Sequence, residues 1–231
     1  DILERTKASL CQVYGVEDAA RAPVKIAVDE WNVWYKNNEM DGKGKFAPHL
    51  LEEIYNMEDA LVVAQFLNSF IRHADVLKIA NLAQIVNVIA PVITTRDGLL
   101  IQSIFYPFEM ISKRRTGMSL LPSVSGYSYE SKSYGKVSAV DSSAIFGDGL
   151  LHVFLVNRMQ EAVGTTVDLS GAGNGKIVFH DGEILRHSDP KAANSFRSPN
   201  NVVPRKVKNV KIDRNRVFLR LPSLSFSAFT F

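Results

Sequence analysis

The sequence predicts a chain of two parts, an α/β segment over residues 1–117 followed by an all-β sandwich over residues 118–231. In the first part, segments of helical spacing alternate with short apolar runs, which is the order of a β/α barrel or of an open α/β sheet. In the second part, short runs are separated by Gly, Asn, Asp and Pro, and no amphipathic run reaches helix length. The second part, of about 110 residues, is close to the common size of a β-sandwich.

The first part opens with a predicted helix, "DILERTKASLCQVYG", which ends at Gly15. Residues 24–28 form a short, mostly apolar run after Pro23, which is typical of a buried parallel strand. The polar segment 35–53 contains two glycines and predicts a loop.

A long amphipathic helix follows this loop. Asn56 is placed to cap the helix, with Glu58 and Asp59 in its first turn. From residue 62 onward, apolar residues recur at spacings of one, three and four, which indicates a core-facing side.

The rest of the first part is less determined by its pattern. Residues 76–95 leave helix and strand open, because a continuous apolar run fits either. Residues 99–115, "LLIQSIFYPFEMISKRR", predict another helix, in which Pro107 lies near the start or introduces a kink.

The second part contains five runs that predict strands: "LHVFLVNR", "TTVDLS", "GKIVFHDGEIL", "VKNVKI" and "RVFLRLP". The glycine-rich "GAGNG" at 171–175 precedes one of them. It lacks the Lys-Ser/Thr of a phosphate-binding loop and opens no helix, so it predicts a turn.

Composition argues against several classes of function. With 46% apolar residues, 22% charged residues and a net charge of +3, the chain lacks the concentrated basic face that nucleic-acid binding needs. No apolar run reaches the roughly 18 residues of a membrane span. The lone Cys11 forms no intrachain disulfide, and the five histidines show no metal-ligand spacing. We therefore expect no metal, no cofactor, no nucleic acid and no membrane.

One stretch, "KIAVDEWNVWY" at 25–35, crowds two carboxylates and both tryptophans of the chain at a strand end. In a β/α barrel, the side chains that do chemistry lie at this end of the strands. Strand alternation predicts that Glu30, Asn32 and Trp34 share one side, and that Asp29, Trp31 and Val33 share the other. A carboxylate beside an indole and an amide fits a sugar site. The alternative is an acidic strand end with a structural role only.

The stretch "VDEWNVWY" resembles family 51 of the glycoside hydrolases, the retaining α-L-arabinofuranosidases. The resemblance covers essentially all 231 residues and continues through "YNMEDALVVAQFLNSFIRHAD", "KIANLAQIVNVIAP", "IFYPF", "SPNNVVP" and "LPSLSFSAFTF". It implies the last two strand–helix units, the seventh and eighth, of a catalytic (β/α)8 TIM barrel, followed by a jelly-roll-like β-sandwich.

The same resemblance implies roles for particular residues. Glu30 is the expected catalytic nucleophile, Trp34 lines the sugar pocket, and Gln84 hydrogen-bonds the arabinose or the surroundings of the nucleophile. Asn32 is a further substrate-binding candidate, because its amide is suited to sugar hydroxyls. The role of Gln84 favours 77–82 as a strand, since the interior of a helix would hide this side chain from the pocket. Asp29 is the less expected nucleophile.

The departure from the family is in length. A whole barrel takes about 250 residues, and no Asn-Glu-Pro motif, which carries the acid/base Glu of the family, occurs in residues 1–231. We therefore expect residues outside this chain, on a separate amino-terminal polypeptide, to complete the barrel. Residues 1–231 alone are expected to be inactive and poorly soluble.

The function expected from the resemblance is release of terminal non-reducing α-L-arabinofuranosyl residues from arabinose-containing oligosaccharides and polysaccharides. The resemblance also implies a homo-oligomer, a hexamer, and a cytoplasmic enzyme. Two alternatives stay open: a β-glucan-cleaving, endoglucanase-type member of the same family, and a non-catalytic carbohydrate-binding protein.

Overall fold

The computed structural model describes residues 2–35, 46, 51–171 and 175–231. Most of the predicted loop at 35–53 and the centre of "GAGNG" therefore lie outside the described residues. The described elements, in chain order, are α1 (Ile2–Tyr14), a 3-10 turn (Ala19–Arg21), β1 (Ile26–Trp31), α2 (Met57–Arg72), β2 (Leu77–Leu82), β3 (Val92–Thr95), β4 (Gly98–Ile101), α3 (Phe105–Ser112), β5 (Met118–Leu120), β6 (Ser128–Ser131), β7 (Gly135–Ser138), β8 (Val140–Gly147), β9 (Leu150–Asn157), β10 (Val163–Asp168), β11 (Asp181–Arg186), β12 (Arg205–Lys206), β13 (Lys211–Asp213), β14 (Arg216–Leu221) and β15 (Ser225–Thr230).

The amino-terminal part contains one strand–helix–strand crossover. The strands β1 and β2 pair in parallel, and α2 connects them. Local signals set the bounds of the helices as predicted: α1 ends before Gly15, whose φ of 61° suits glycine, and Asn56 and Asp59 form a reciprocal capping box on α2. Residues 77–82, whose apolar pattern fits either a helix or a strand, form the strand β2.

The helix predicted at 99–115 is partly wrong. The structure has a hairpin of β3 and β4, and α3 begins only at Phe105. The β-branched run "VITT" and the Asp-Gly that follows it favour a hairpin. In this hairpin, Leu99 and Leu100 of β4 pair with residues of β3. Pro107 is the third residue of α3, where its missing N–H breaks no helical hydrogen bond.

The carboxyl-terminal part is a β-sandwich, as the sequence predicts. A six-stranded antiparallel sheet of order β12-β11-β15-β9-β8-β5 faces a three-stranded sheet of order β10-β14-β13. Val153 and Leu155 of β9 pack against Val217 and Leu219 of β14 in the core between the sheets.

The six-stranded sheet is buried on its other face as well. Phe154 and Val156, the alternate residues of β9, pack with Met57 and Ala64 of α2 in a second core. The sheet is therefore a shared wall between the helices and the sandwich. The domain boundary expected at 117/118 stays a prediction, because this second core contains residues from both sides of it.

A buried charge network also joins the helices to the sandwich. Arg114, just after α3, is 3% exposed; it donates to Glu183 Oε2 at 2.9 Å, and it is also paired with Asp181. Burial alone would raise the pKa of Glu183, but the hydrogen bond from Arg114 and the nearby positive charges outweigh it and lower that pKa.

Replacing Arg114 with Met should lower the free energy of unfolding at pH 7 by about 1.5–3 kcal/mol, because the buried Glu183 loses the hydrogen bond from its charged partner and keeps only the longer ion pairs to Lys113 and Lys206, at 3.5 Å and 3.4 Å. A lowered carboxyl pKa contributes stability above the pKa of the unfolded state, and this contribution is lost as pH falls through the folded value. The difference between wild type and variant should therefore shrink on acidification, as measured by urea denaturation at pH 7 and pH 4. Arg115→Met, at an exposed neighbour, is the control and should change little. An equal deficit at both pH values would contradict the assignment.

Candidate active site

The carboxyl ends of β1 and β2 bring the predicted site residues to one edge. The backbone N–H of Ala83 donates to the carbonyl of Trp31 at 3.0 Å, so the two chains leave the sheet side by side. Glu30 and Gln84, on either side of this bond, are both exposed. In parallel sheets this edge is where ligands bind.

A β-bulge lies at the two acids. Val28 pairs with Ala80 and Trp31 pairs with Leu82, so three steps along β1 match two along β2. Val28 and Trp31 both pack into one apolar cluster, while Asp29 and Glu30 between them are both exposed. The predicted alternation, with Asp29 and Trp31 on one side, is therefore wrong, because the extra residue interrupts the period of two.

The two tryptophans of the stretch differ in environment. Trp31 is 7% exposed, and its ring centroid lies 5.4 Å from Phe66, 5.0 Å from Phe70 and 5.5 Å from Phe108. This aromatic cluster fixes the end of β1 against α2 and α3. Trp34 is 55% exposed, so it is the tryptophan that is free to stack on a ligand.

Three hydrogen bonds tether the segment that follows β1. The amide Nδ2 of Asn32 donates to the carbonyl of Ile89 at 2.5 Å, and the Tyr55 hydroxyl donates to the carbonyl of Val33 at 2.8 Å. The Tyr35 hydroxyl reaches the Asp59 carboxylate, at 2.7 Å and 2.5 Å from its two oxygens. The backbone that carries Trp34 is thus held on both sides. The Asn32 amide oxygen also accepts from the N–H of Val33 at 2.8 Å, so this residue is largely engaged within the chain.

Asp59 is the acceptor at the centre of this tether. It is 4% exposed and accepts the backbone N–H of Asn56 at 2.8 Å in addition to the tyrosine hydroxyl. Burial raises the pKa of Asp59, and the bonds from Asn56 and Tyr35 offset part of that rise. The pKa of Tyr35 is raised too, by burial and by the hydrogen bond to Asp59, so the phenol stays the proton donor.

A buried amide organises the loops behind the site. The Oε1 of Gln102 accepts the backbone N–H of Tyr55 at 2.9 Å, and its Nε2 donates to the carbonyls of Glu53 at 3.0 Å and Ala90 at 2.8 Å. It therefore links the entry to α2 with the loop after β2. No spacing in the sequence indicates this role, because its three partners lie 12 to 49 residues away.

A loop of the sandwich reaches the amino end of α2. The first helical N–H groups, of Met57 and Glu58, donate to the carbonyls of Ala192 and Pro190, each at 2.9 Å. These groups have no partner within a helix, so the sandwich supplies what the helix lacks. Sequence reasoning missed this contact, which couples the sandwich to the tethered site segment.

The described residues contain neither a metal-ion cluster nor a membrane-spanning helix. Among residues 2–35, 46, 51–171 and 175–231, no three His, Cys, Asp or Glu side chains group so as to hold a metal ion. None of the helices described has the length and apolarity to cross a membrane.

Comparison with known proteins defines the family. Residues 29–225 match the family described as "Alpha-L-arabinofuranosidase C-terminal domain". The chain is 34% identical over 229 residues to the intracellular exo-α-(1→5)-L-arabinofuranosidase 1 of Bacillus subtilis, covering 96% of this chain and 45% of that protein. It is 35% identical over 228 residues to an exo-α-(1→6)-L-arabinofuranosidase of Bifidobacterium longum, covering 91% of this chain and 44% of that protein.

A solved structure agrees with these relatives. A family 51 α-L-arabinofuranosidase from Bifidobacterium longum superimposes with a TM-score of 0.83 at 26% identity, over 98% of this chain and 45% of that one. The chain therefore belongs to the family 51 α-L-arabinofuranosidases and corresponds to their carboxyl-terminal portion, which confirms the resemblance found in the sequence. It spans a little under half the length of these relatives.

Replacing Tyr35 with Phe should lower the free energy of unfolding by about 1.5–3 kcal/mol, because a hydrogen bond to a buried charged carboxylate is lost. The loss can be measured by chemical denaturation. Tyr134→Phe removes the same hydroxyl from an exposed ring and is the control, with an expected change of less than about 0.5 kcal/mol. Equal stability of Tyr35→Phe and wild type would show that the tether does not hold the site segment.

Proposed function

We propose that this chain is the nucleophile-bearing portion of a retaining exo-acting α-L-arabinofuranosidase. Its substrates would be arabinose-containing oligosaccharides and polysaccharides, from which it releases terminal non-reducing α-L-arabinofuranosyl residues. The observation that carries the proposal is the exposed Glu30 at a bulge near the carboxyl end of β1, at the same edge as the exposed Gln84, which follows β2. The relatives of this chain are named exo-acting L-arabinofuranosidases, which supports the same activity.

We also propose that β1 and β2 are the seventh and eighth strands of a (β/α)8 barrel and that the sandwich after them is jelly-roll-like. Two parallel strands do not close a barrel, and Ile79 of β2 is 50% exposed, while its neighbour Ala80 packs in the apolar cluster around Trp31. Covering such apolar edges requires further strands. These would come from residues outside 1–231, on an amino-terminal polypeptide that also brings the acid/base carboxyl group.

The proposed reaction uses two carboxyl groups about 5–5.5 Å apart. Ionised Glu30 attacks the anomeric carbon while the acid/base residue protonates the leaving oxygen, and the bond between sugar and aglycone breaks. Water, deprotonated by the same acid/base residue, then attacks the glycosyl-enzyme and releases arabinose with retained configuration.

Two side chains would bind the sugar, and a third would position the segments that carry them. Trp34 would stack on an apolar face of the furanose or of the next residue, since its ring is exposed on a tethered backbone. Gln84 would donate to a sugar hydroxyl or to Glu30. Asn32 would act mainly by positioning, because its oxygen and one amide hydrogen are already bonded within the chain.

The setting of the enzyme forms part of the proposal. Relatives of this chain are named intracellular enzymes, which supports a cytoplasmic location. A hexamer is carried over from the family resemblance. The named relatives differ in linkage, (1→5) in one and (1→6) in another, so we propose the sugar released and not the bond preferred.

Glu30→Gln in the complete natural protein should lower the turnover of an aryl α-L-arabinofuranoside by roughly 10⁴-fold or more, because the amide cannot form the covalent intermediate. Stability should barely change, since the side chain is exposed. Asp29→Asn is the matched control at the adjacent exposed acid and should retain most activity. Cleavage by Glu30→Gln at near the wild-type rate would overturn the assignment.

Trp34→Ala should lower kcat/KM for oligosaccharides by about 5–150-fold, corresponding to the 1–3 kcal/mol lost when a contact aromatic is truncated. Trp34→Phe keeps an aromatic face and should recover most of this loss. The measurement is steady-state kinetics on an arabino-oligosaccharide. A loss of stability without a change in kcat/KM would instead give Trp34 a structural role.

A further inference from the structure

One loop of the sandwich lies at the same edge as the candidate active site. A helix that connects two parallel strands runs opposite to them, so the amino end of α2 lies at the edge where β1 and β2 end. The sandwich loop accepts the first N–H groups of α2 through Pro190 and Ala192, which places this loop at that edge. A few residues further on, the same loop carries Phe196 and Arg197, and both are exposed. The sandwich thus presents an aromatic ring and a guanidinium group beside the site.

The turn 195–198, which carries these two side chains, is held in place. Ser195 and Ser198 exchange backbone hydrogen bonds at 3.2 Å and 3.0 Å, which closes the turn. Just before it, the buried Asn194 donates through Nδ2 to the carbonyl of Ile101 at 2.9 Å, which ties the loop to the end of β4. A turn that is already ordered loses little conformational freedom when a ligand binds to it.

The ring of Phe196 rests on the hairpin of β3 and β4. A methyl group at Gly98 would lie 3.5 Å from Cε1 of this ring, which is an ordinary packing distance. Phe196 is nevertheless 48% exposed, and Leu99 in the same hairpin is 59% exposed. Within the described residues, Arg197 makes no hydrogen bond and no ion pair. Contact with the hairpin therefore accounts for only part of the ring and for none of the guanidinium group.

The hairpin sets the separation between this turn and the candidate active site. The loop before β3 is bound to the site segment, because Asn32 donates to the carbonyl of Ile89. From Val92, where β3 begins, to Thr95 at the tip of the hairpin, the strand extends about 10 Å, at 3.3 Å per residue. Phe196 packs at this tip, so it lies beside the pocket of the released sugar and not within it.

We propose that Phe196 and Arg197 form a distal subsite for the part of the carbohydrate chain that extends beyond the released sugar. This inference rests on the proposed function and adds a determinant of substrate length to it. The flat ring of Phe196 would stack on the apolar face of a sugar, and the guanidinium group, with five N–H donors, would bind sugar hydroxyl groups. The sandwich would then take part in substrate binding as well as in supporting the helices.

A purely structural role would use the ring of Phe196 only to hold the tip of the hairpin against the sandwich loop. The two roles need different properties of the side chain. Leucine keeps an apolar contact with Gly98 but has no flat face, whereas tyrosine keeps both. Phe196→Leu and Phe196→Tyr therefore separate sugar stacking from packing.

Steady-state kinetics of the complete natural protein on arabino-oligosaccharides of increasing length, with an aryl α-L-arabinofuranoside as the short reference substrate, test the subsite. We expect kcat/KM of wild type to rise with chain length, because binding energy from remote sugars becomes available to the reaction. Failure to cleave the aryl glycoside would refute the proposed function itself. Cleavage of the aryl glycoside without any rise of kcat/KM with chain length would overturn the distal subsite alone.

Phe196→Leu should lower the ratio of kcat/KM for a long oligosaccharide to kcat/KM for the aryl glycoside by about 5–20-fold, in the range for losing a contact aromatic. Phe196→Tyr should restore most of this ratio. Phe218→Leu is the matched control, at a ring that is 38% exposed on the outer face of the three-stranded sheet, and should keep the wild-type ratio. An unchanged ratio in Phe196→Leu, whether or not its Tm falls, would show that the ring only holds the hairpin and would overturn the proposal.

Discussion

The amino end of α2 is the junction on which the candidate site depends. Asn56 and Asp59 cap the helix reciprocally, Tyr35 of the site segment donates to the same carboxylate, and the sandwich loop accepts the first helical N–H groups. Each of these bonds satisfies a group that burial would otherwise leave unpaired, at a cost of about 1–3 kcal/mol per group. The segment that carries Trp34 is therefore held by the polar groups at the amino end of α2, which need hydrogen-bond partners because they are buried.

The six-stranded sheet extends this coupling through the protein. Its strand β9 sends alternate residues into the core between the sheets and into the core beneath the helices. At the far end of α3, Arg114 anchors the helix to β11 through Glu183. The sandwich thus packs against one side of α2 and α3. Trp31 and its aromatic neighbours hold β1 against the same helices. This arrangement gives a physical reason for the sandwich to accompany the strand that carries Glu30.

Local signals made much of the fold predictable. The end of α1 at Gly15 and the cap of α2 at Asn56 follow from residues a few positions apart, and the alternating run of β14 identifies a strand by itself. The site edge was also predictable in part, because Glu30 and Gln84 each follow an apolar strand. The chemistry of the edge came from the family resemblance and stays a proposal.

What the sequence did not predict depends on distant partners. The bulge at Asp29 and Glu30 exists only in the register with β2, and a simple period of two missed it. The difference between Trp31 and Trp34 is set by the phenylalanines of α2 and α3. The amide of Gln102 joins backbone groups that no sequence spacing relates. The hairpin of β3 and β4 is the exception, since its Asp-Gly was a local signal for a turn.

The central claim, that Glu30 is the nucleophile held at this edge, is tested most directly by trapping the intermediate. The complete natural protein would be inactivated with a 2-fluoro-arabinofuranosyl reagent, digested and analysed by tandem mass spectrometry, whose fragment ions separate the adjacent residues Asp29 and Glu30. The account predicts one sugar adduct per active site, on Glu30, and a loss of activity in proportion to labelling. An adduct on Asp29, or on a peptide that lacks both residues, would contradict it.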